Sequence, residues 1–462
     1  MLQELNSSTA SPGPKKQSKF NWIPWFLIFL TITLNVSLIA VRAGKELSLF
    51  YPFSTTLLGL LIYLKYPSFY IGLVWWIWFV SPLVRRLSDY YSNFNSENPI
   101  LLAPFLIVLI ILPTIAAKIP DLFRCGKIYF LLPIFTIIYG AALGIVARNP
   151  FDVALSFLEW LSPVIFGLYL YLHWRIYPEI SERLSSIFMW GVLVMGAYGV
   201  YQFMASPPWD TYWLTESGFS TGGRLAPYSL NIWSTMPSNR PFGTVMMAGL
   251  TLLLVNEKIN FVKVPATGFG YLSFLLARKR TTWFSLIFSV LILSLSFNSK
   301  KQMRLLVSLA VTVALVIPLT QISPFSDFIG ERVGTLSSLQ SDNSANARAN
   351  TFNELIGPAL TSLVGSGLGG KSFDNGFLSS LFDIGWIGTI CYFYSIIFML
   401  FYVFKTPICY LDKFAFASRA IALSTFVQLP LGQPHIADQG MVLWCFLSTS
   451  LAAKAYYSSK AL

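Results

Sequence analysis

Two carboxylates and a scattered set of guanidinium groups are the residues of this chain whose types and spacing suit chemistry. Asp374 and Asn375 open a long apolar run, DNGFLSSLFDIGWIG, with Leu378 behind them and Asp383 about two turns further in. A carboxylate where a helix enters an apolar phase is costly to hold, so it is either a helix cap or a functional group. Both readings stand for Asp374. Asp383 lies too deep for a cap, and either pairs with a buried polar group or acts. An ionised carboxylate can take a proton from an attacking hydroxyl, and an Arg presents a planar fork that matches phosphate oxygens two at a time. The arginines so placed are Arg240, directly ahead of Pro241 and an apolar run, Arg332 in GERVG, Arg348 in SANARANTFNELIG, and the basic turn ARKRTTW with Arg278, Lys279 and Arg280. Solvation or contact with lipid phosphate is the competing reading for each. Within the basic turn one member is expected to hold phosphate and the others to be solvated.

Residues 365–372, GSGLGGKS, formally match the nucleotide-binding pattern GxxxxGK[ST] and include Lys371. That pattern works only between a parallel strand and a helix of an α/β domain, and here the whole polar stretch is about fifty residues between apolar runs. Nucleotide binding is therefore rejected. A glycine hinge re-entering the membrane, or a turn whose backbone N–H groups face a phosphate, are the readings left. His435, in LPLGQPHIADQG, is a second candidate base, set against a bystander in a surface loop.

The elements that must position these groups are membrane helices. The chain has 462 residues, 55% hydrophobic and 11% charged, with mean hydropathy +0.62. A soluble domain has no way to cover so much apolar surface, whereas helices in lipid must display it. The four cysteines are scattered singly, so no disulfide framework or CxxC metal site follows, and two histidines exclude a His-rich metal centre. The net charge of +12 suits helix ends in a membrane and implies no nucleic acid.

Residues 1–20 read as a disordered cytoplasmic tail carrying Lys15, Lys16 and Lys19, ahead of a first retained span at 21–41. Apolar runs then recur near 47–64, 68–84, 99–117, 128–147, 153–174, 184–204, 241–256, 259–277, 281–297, 305–320, 376–404, 414–429 and 440–456. The expectation is an all-α polytopic membrane protein of roughly 12–14 transmembrane helices. An even count puts both termini in the cytoplasm and both large polar loops outside. The organisation expected is an N-terminal bundle at 21–204, a first external loop at 205–240, central helices at 241–320, a large external catalytic loop at 321–373, and C-terminal helices at 374–462. In the first loop, Trp209, Tyr212, Trp213, Tyr228 and Trp233 suit either stacking on sugars or an interfacial aromatic belt. In the second, Asp342, Asn343 and Ser344 offer N-caps for a helix through Ala345–Gly357 that Pro358 would end, with Phe352, Leu355 and Ile356 toward the membrane or bundle and Arg348 and Asn350 toward a cavity or merely at the headgroups.

The order RPFGT, ARKRTTW, ERV…DNSANARANTFNELI…GSGLGG and DNGFLSSLFDIGWIG resembles the O-antigen ligase and O-antigen polymerase superfamily of bacterial envelope enzymes, over roughly 151–394. The resemblance implies a GT-C-like, metal-independent and cofactor-free glycosyltransferase acting on undecaprenyl-diphosphate-linked glycans at the outer face of the inner membrane. A chain-length regulator and a flippase of the same pathway would be its companions. The family's essential arginines would correspond to Arg240 and Arg348, with Arg280 from the basic turn and Arg278, Arg332 and Lys371 as further substrate contacts. Asp374 would be the base, and Asn375 would orient the sugar. Ligases carry His-Asn/Ser-x-x-Leu where this chain has Asp374-Asn375-Gly376-Phe377-Leu378. That departure favours joining of repeat units over ligation, although an Asp can also serve as base in a ligase. A transporter or flippase for an anionic solute is the reading from a different class, since external cations and broken helices suit it; inverted internal repeats are not seen.

Overall fold

In lipid every backbone N–H and C=O must be satisfied within the chain, so long apolar runs become helices. The computed structural model bears this out and describes residues 22–219, 223–256, 261–296, 299–334, 343–370, 373–405 and 412–460. The expected tail at 1–20, Lys371, and the side chains of Arg332 and Arg348 lie outside the described part. No strand occurs among the described residues beyond one isolated bridge between Gly223 and Leu230.

The first half runs α1 (Trp22–Ala40), α2 (Gly44–Lys65), α3 (Pro67–Tyr91), α4 (Ala103–Leu109), α5 (Leu112–Arg124), α6 (Leu131–Ala147), α7 (Pro150–Leu172), α8 (Tyr177–Ala205) and α9 (Pro208–Ser217). The second half runs α10 (Asn239–Val255), α11 (Lys263–Leu276), α12 (Arg280–Ser296), α13 (Ser299–Gln321), α14 (Phe325–Gly334), α15 (Asn343–Thr361), α16 (Gly376–Phe404), α17 (Lys413–Phe426) and α18 (Ala437–Lys460). Among the described residues seven helical stretches are long and apolar enough to cross a membrane, those of α1, α2, α3, α6, α7, α8 and α16. They become eight if the pair Pro99–Leu109 and Leu112–Arg124, bent by 44°, is one span. The chain is thus an all-helical, multi-pass membrane protein. The other expected spans also fall on helices, but α10, α11, α12 and α17 have only 14 to 17 residues.

The centre of the bundle is α18 packed along α7, with Trp160, Phe166 and Trp444 almost fully enclosed. α1 is peripheral and displays Trp22, Phe26 and Phe29, as a lipid-facing helix should. α15 does not stop at Pro358, as expected, but carries it inside and ends at Thr361. Leu355 and Ile356 pack with Ala359 against Leu378 and Leu381 of α16, while Phe352 and Asn350 are exposed. At the other end of the polar region, α14 is held by Phe325 and Phe328 against Phe203 at the end of α8.

α16 is broken at Gly385, whose φ of 64° and ψ of −175° leave the helical region. Only glycine fits there, because a Cβ would lie 2.4 Å from the Leu363 carbonyl oxygen. Segment 362–368 fills the break. The Phe382 and Asp383 carbonyls accept from the Ser366 and Gly367 amides at 2.7 and 2.9 Å, and the Trp386 amide donates to the Ser362 carbonyl at 3.1 Å.

Candidate functional site

The sequence sets Arg240 and Asp374 far apart, and the fold joins them. Arg240 sits in the first turn of α10, and Asp374 stands two residues ahead of α16. Arg240 Nη1 lies 3.3 Å from Asp374 Oδ1, with Arg240 16% and Asp374 58% exposed. The helix cap is Asn375, not Asp374: its Oδ1 accepts from the Phe377 and Leu378 amides at 3.0 and 3.1 Å. The capping reading of Asp374 is thereby overturned, since the neighbouring amide oxygen already serves the orphan N–H groups of the first turn. That Asn375 oxygen is engaged by backbone, while Asp374 is left facing outward.

The segment from Gln428 to Gln439 supports this pair from below. Gly432 abuts the Arg240 side chain, so closely that a Cβ would fall 3.1 Å from its Cδ. Gln433 Nε2 donates to the Phe373 carbonyl at 3.0 Å and to Ser379 Oγ at 2.8 Å, fixing the approach to Asp374. Thr244 Oγ1 donates to the Arg240 carbonyl at 3.1 Å and is held by Gln439 Nε2 at 2.9 Å. His435, expected in a surface loop, is fully buried. Its ring is boxed by Trp160, Tyr392 and Phe393, and Nε2 meets Ser380 Oγ at 3.3 Å. Burial pushes its pKa down to about 3, which keeps the imidazole neutral. An enclosed neutral ring offers no path for a substrate proton, so the base reading of His435 is withdrawn.

The glycine cluster has a structural task. The amides of Ser366, Gly367 and Leu368 donate to carbonyls of Phe382, Asp383 and Gly140, leaving none of the three for a phosphate. Arg148 reinforces the seat: its Nε donates to the Ser366 carbonyl at 3.2 Å and Nη2 to Ser366 Oγ at 2.6 Å. It also acts electrostatically on Asp383, which lies at the break. Nothing in the sequence marks Arg148 for this role beyond its position at the end of an apolar run, followed by Asn149 and Pro150.

The basic turn is positioned by its own backbone. Arg278 adopts φ 53° and lays its guanidinium 4.4 Å from the Phe328 ring centre, tying the turn to α14, and Arg280 begins α12. Arg348 falls on α15, about two turns ahead of the Leu355–Ala359 stretch that packs on α16.

Two of the first-loop aromatics, Trp213 and Trp233, build a small core instead of a sugar platform or an aromatic belt. Trp213, Leu214, Leu230 and Trp233 are buried together, with Phe94 and Phe219 against them. Trp209 Nε1 donates to the Tyr198 hydroxyl at 2.7 Å, and the Tyr212 hydroxyl accepts from the Phe94 amide. Tyr228 remains 41% exposed. Beneath them Arg86 and Asp210, 2% and 0% exposed, form an ion pair of 3.2 Å. Asp210 Oδ2 accepts from Gln202 Nε2 at 2.7 Å and from Tyr198 at 3.0 Å. Gln202 Oε1 in turn accepts from the Trp233 and Ser234 amides, and Arg86 donates to the Ser234 carbonyl. This network fixes residues 233–234, a few residues before Arg240, and the isolated sequence carries no trace of it.

Among the described residues no three His, Cys, Asp or Glu side chains gather in a way that could hold a metal ion. Comparison with protein-family models, curated proteins and solved structures finds no match for the chain.

Proposed function

We propose that the protein is a membrane glycosyltransferase that polymerises undecaprenyl-diphosphate-linked oligosaccharide repeat units, making an O-antigen or exopolysaccharide. In this reading its GT-C-like bundle of 12–14 spans lies in the bacterial inner membrane, with both termini cytoplasmic and the large loops outside. The observation that carries the reading is the Arg240–Asp374 pair: a cation and an outward-facing carboxylate brought together from residues 134 apart, at the openings of two helices. The acceptor hydroxyl oxygen attacks the anomeric carbon of the lipid-linked sugar, the bond from that carbon to the diphosphate oxygen breaks, and the hydroxyl proton passes to Asp374. Negative charge grows on the departing diphosphate. Arg240 takes that charge from its resting place beside Asp374, assisted by Arg348 and Arg280. Arg278, Arg332, Lys371 and Asn375 remain the proposed substrate contacts, and a chain-length regulator and a flippase the proposed companions.

The break in α16 is the observation that favours the transport reading, because interrupted spans line many transport paths. Its freed carbonyls and amides are occupied by segment 362–368 and so offer no ion their oxygens. The test is purified protein with lipid-linked repeat units. Lengthened glycans and released undecaprenyl diphosphate are expected, and both are expected to vanish in Asp374→Asn and Arg240→Gln. Transfer of finished polymer to a lipid A core acceptor, without lengthening, would instead make the protein a ligase. Wild-type polymer length in both variants would remove the assignment.

A further inference from the structure

α17 is buried on all sides from Ala415 to Ala422, yet it carries Arg419 in the middle of that stretch. Arg419 is 3% exposed. Among the described residues its Nε has no hydrogen-bond partner, and no carboxylate acts on the group. The guanidinium is flanked, among the described residues, by two rings, Phe416 at 4.5 Å and Phe404 at 5.1 Å. Ser418 and Ser424 of the same helix also hold buried hydroxyls without partners. An arginine keeps its charge even when enclosed, and buried charges in membrane proteins are otherwise paired. Two aromatic faces attract the cation but supply no acceptor oxygen for the donors of its fork.

The surroundings indicate what fills them. Phe404 ends α16, and Lys405 follows it. Lys454 of α18 donates to the Tyr402 carbonyl at 3.0 Å, lies over the Tyr402 ring, and feels the charges of Lys127 and Lys405. Three lysines from three parts of the chain thus crowd the end of the helix whose last ring covers Arg419. Such a cluster attracts anionic headgroups. The Arg240–Asp374 pair stands at the opposite end of α16, roughly 40 Å away along the helix.

We propose that Arg419 anchors a phosphate group at the C-terminal end of α16, with Lys127, Lys405 and Lys454 as the surrounding field. The group belongs either to an anionic phospholipid headgroup or to a free phosphate, and the site is independent of the glycosyl-transfer reading.

The test uses the full chain in nanodiscs of zwitterionic phosphatidylcholine, with thermal unfolding as readout and two probes, inorganic phosphate and added phosphatidylglycerol. Wild-type protein is expected to gain several degrees with at least one probe: a response to phosphatidylglycerol alone assigns a lipid headgroup, a response to inorganic phosphate assigns a free anion. The gain is expected to be lost in Arg419→Met, which without either probe should be at least as stable as wild type because it removes an uncompensated charge. Arg419→Lys, which keeps the charge but not the fork, should retain a reduced gain and serves if the Met variant does not fold. Absence of any wild-type response overturns the proposal, as does a response in Arg419→Met or Arg419→Lys equal to that of wild type.

Discussion

Breaking the buried pair Arg86–Asp210 should be more damaging than removing it altogether. At 3.2 Å and an effective dielectric constant of about 20, the two charges attract by about 5 kcal/mol. Much of that attraction offsets the loss of water around two enclosed ions. Arg86→Met leaves Asp210 buried with only Gln202 and Tyr198 as donors, and should cost about 3–5 kcal/mol. Asp210→Leu strands the guanidinium against the Ser234 carbonyl and the Trp233 ring, at a similar cost. The double variant carries no enclosed charge at this site and should lie well short of the sum, with a coupling energy of at least about 2 kcal/mol. Equilibrium unfolding of the four proteins in one mixed-micelle system measures the cycle. A Thr235→Cys reporter, at a position only 2% exposed, checks the mechanism: maleimide labelling should accelerate in Arg86→Met as the segment ahead of Arg240 loosens. Single effects that add to within about 0.5 kcal/mol would refute the coupling, and unchanged labelling would refute the positioning role.

Gly367→Ala places a Cβ 2.2 Å from the Gly144 backbone nitrogen at a φ of 85°, so strain and overlap together should cost about 2–5 kcal/mol in the same unfolding assay. The control Gly268→Ala meets nothing within 4 Å and should change stability by no more than about 1 kcal/mol. Because His435 is held neutral down to about pH 3, its contribution is fully present above its ordinary value near 6.5 and is lost as pH falls from there toward 3. The unfolded chain alone takes up the proton in that window, so stability should drop by about 1.4 kcal/mol per pH unit. His435→Gln should lessen the slope by one proton, and an unchanged slope would show the ring to be solvated. Asn375→Ala should cost about 1 kcal/mol of stability through the lost cap, whereas Asp374→Asn should leave stability within about 0.5 kcal/mol and abolish glycan lengthening.

Hydropathy and length alone determined the class of this protein and where its helices lie. Each apolar run must satisfy its own backbone, and that demand acts locally, so among the described residues the apolar runs fall on helices, seven of them, or eight with the bent pair, long and apolar enough to cross a membrane. The structure gives the cap at the start of α16 to Asn375, where Asp374 was the expected candidate, and the break at Gly385 depends on segment 362–368, which partners the freed backbone groups. The pairing of Arg240 with Asp374, the seating of the glycine cluster in the break of α16, the enclosure of His435, and the Arg86–Asp210 lock were decided by tertiary structure. Each joins groups many residues apart, and the free energy that selects the partner comes from excluding water between helices that only the complete bundle brings into contact. Trp213 and Trp233 show the limit well: their amphipathic rings suit a belt, a sugar platform or a core, and burial beside Arg86 is what selects the core.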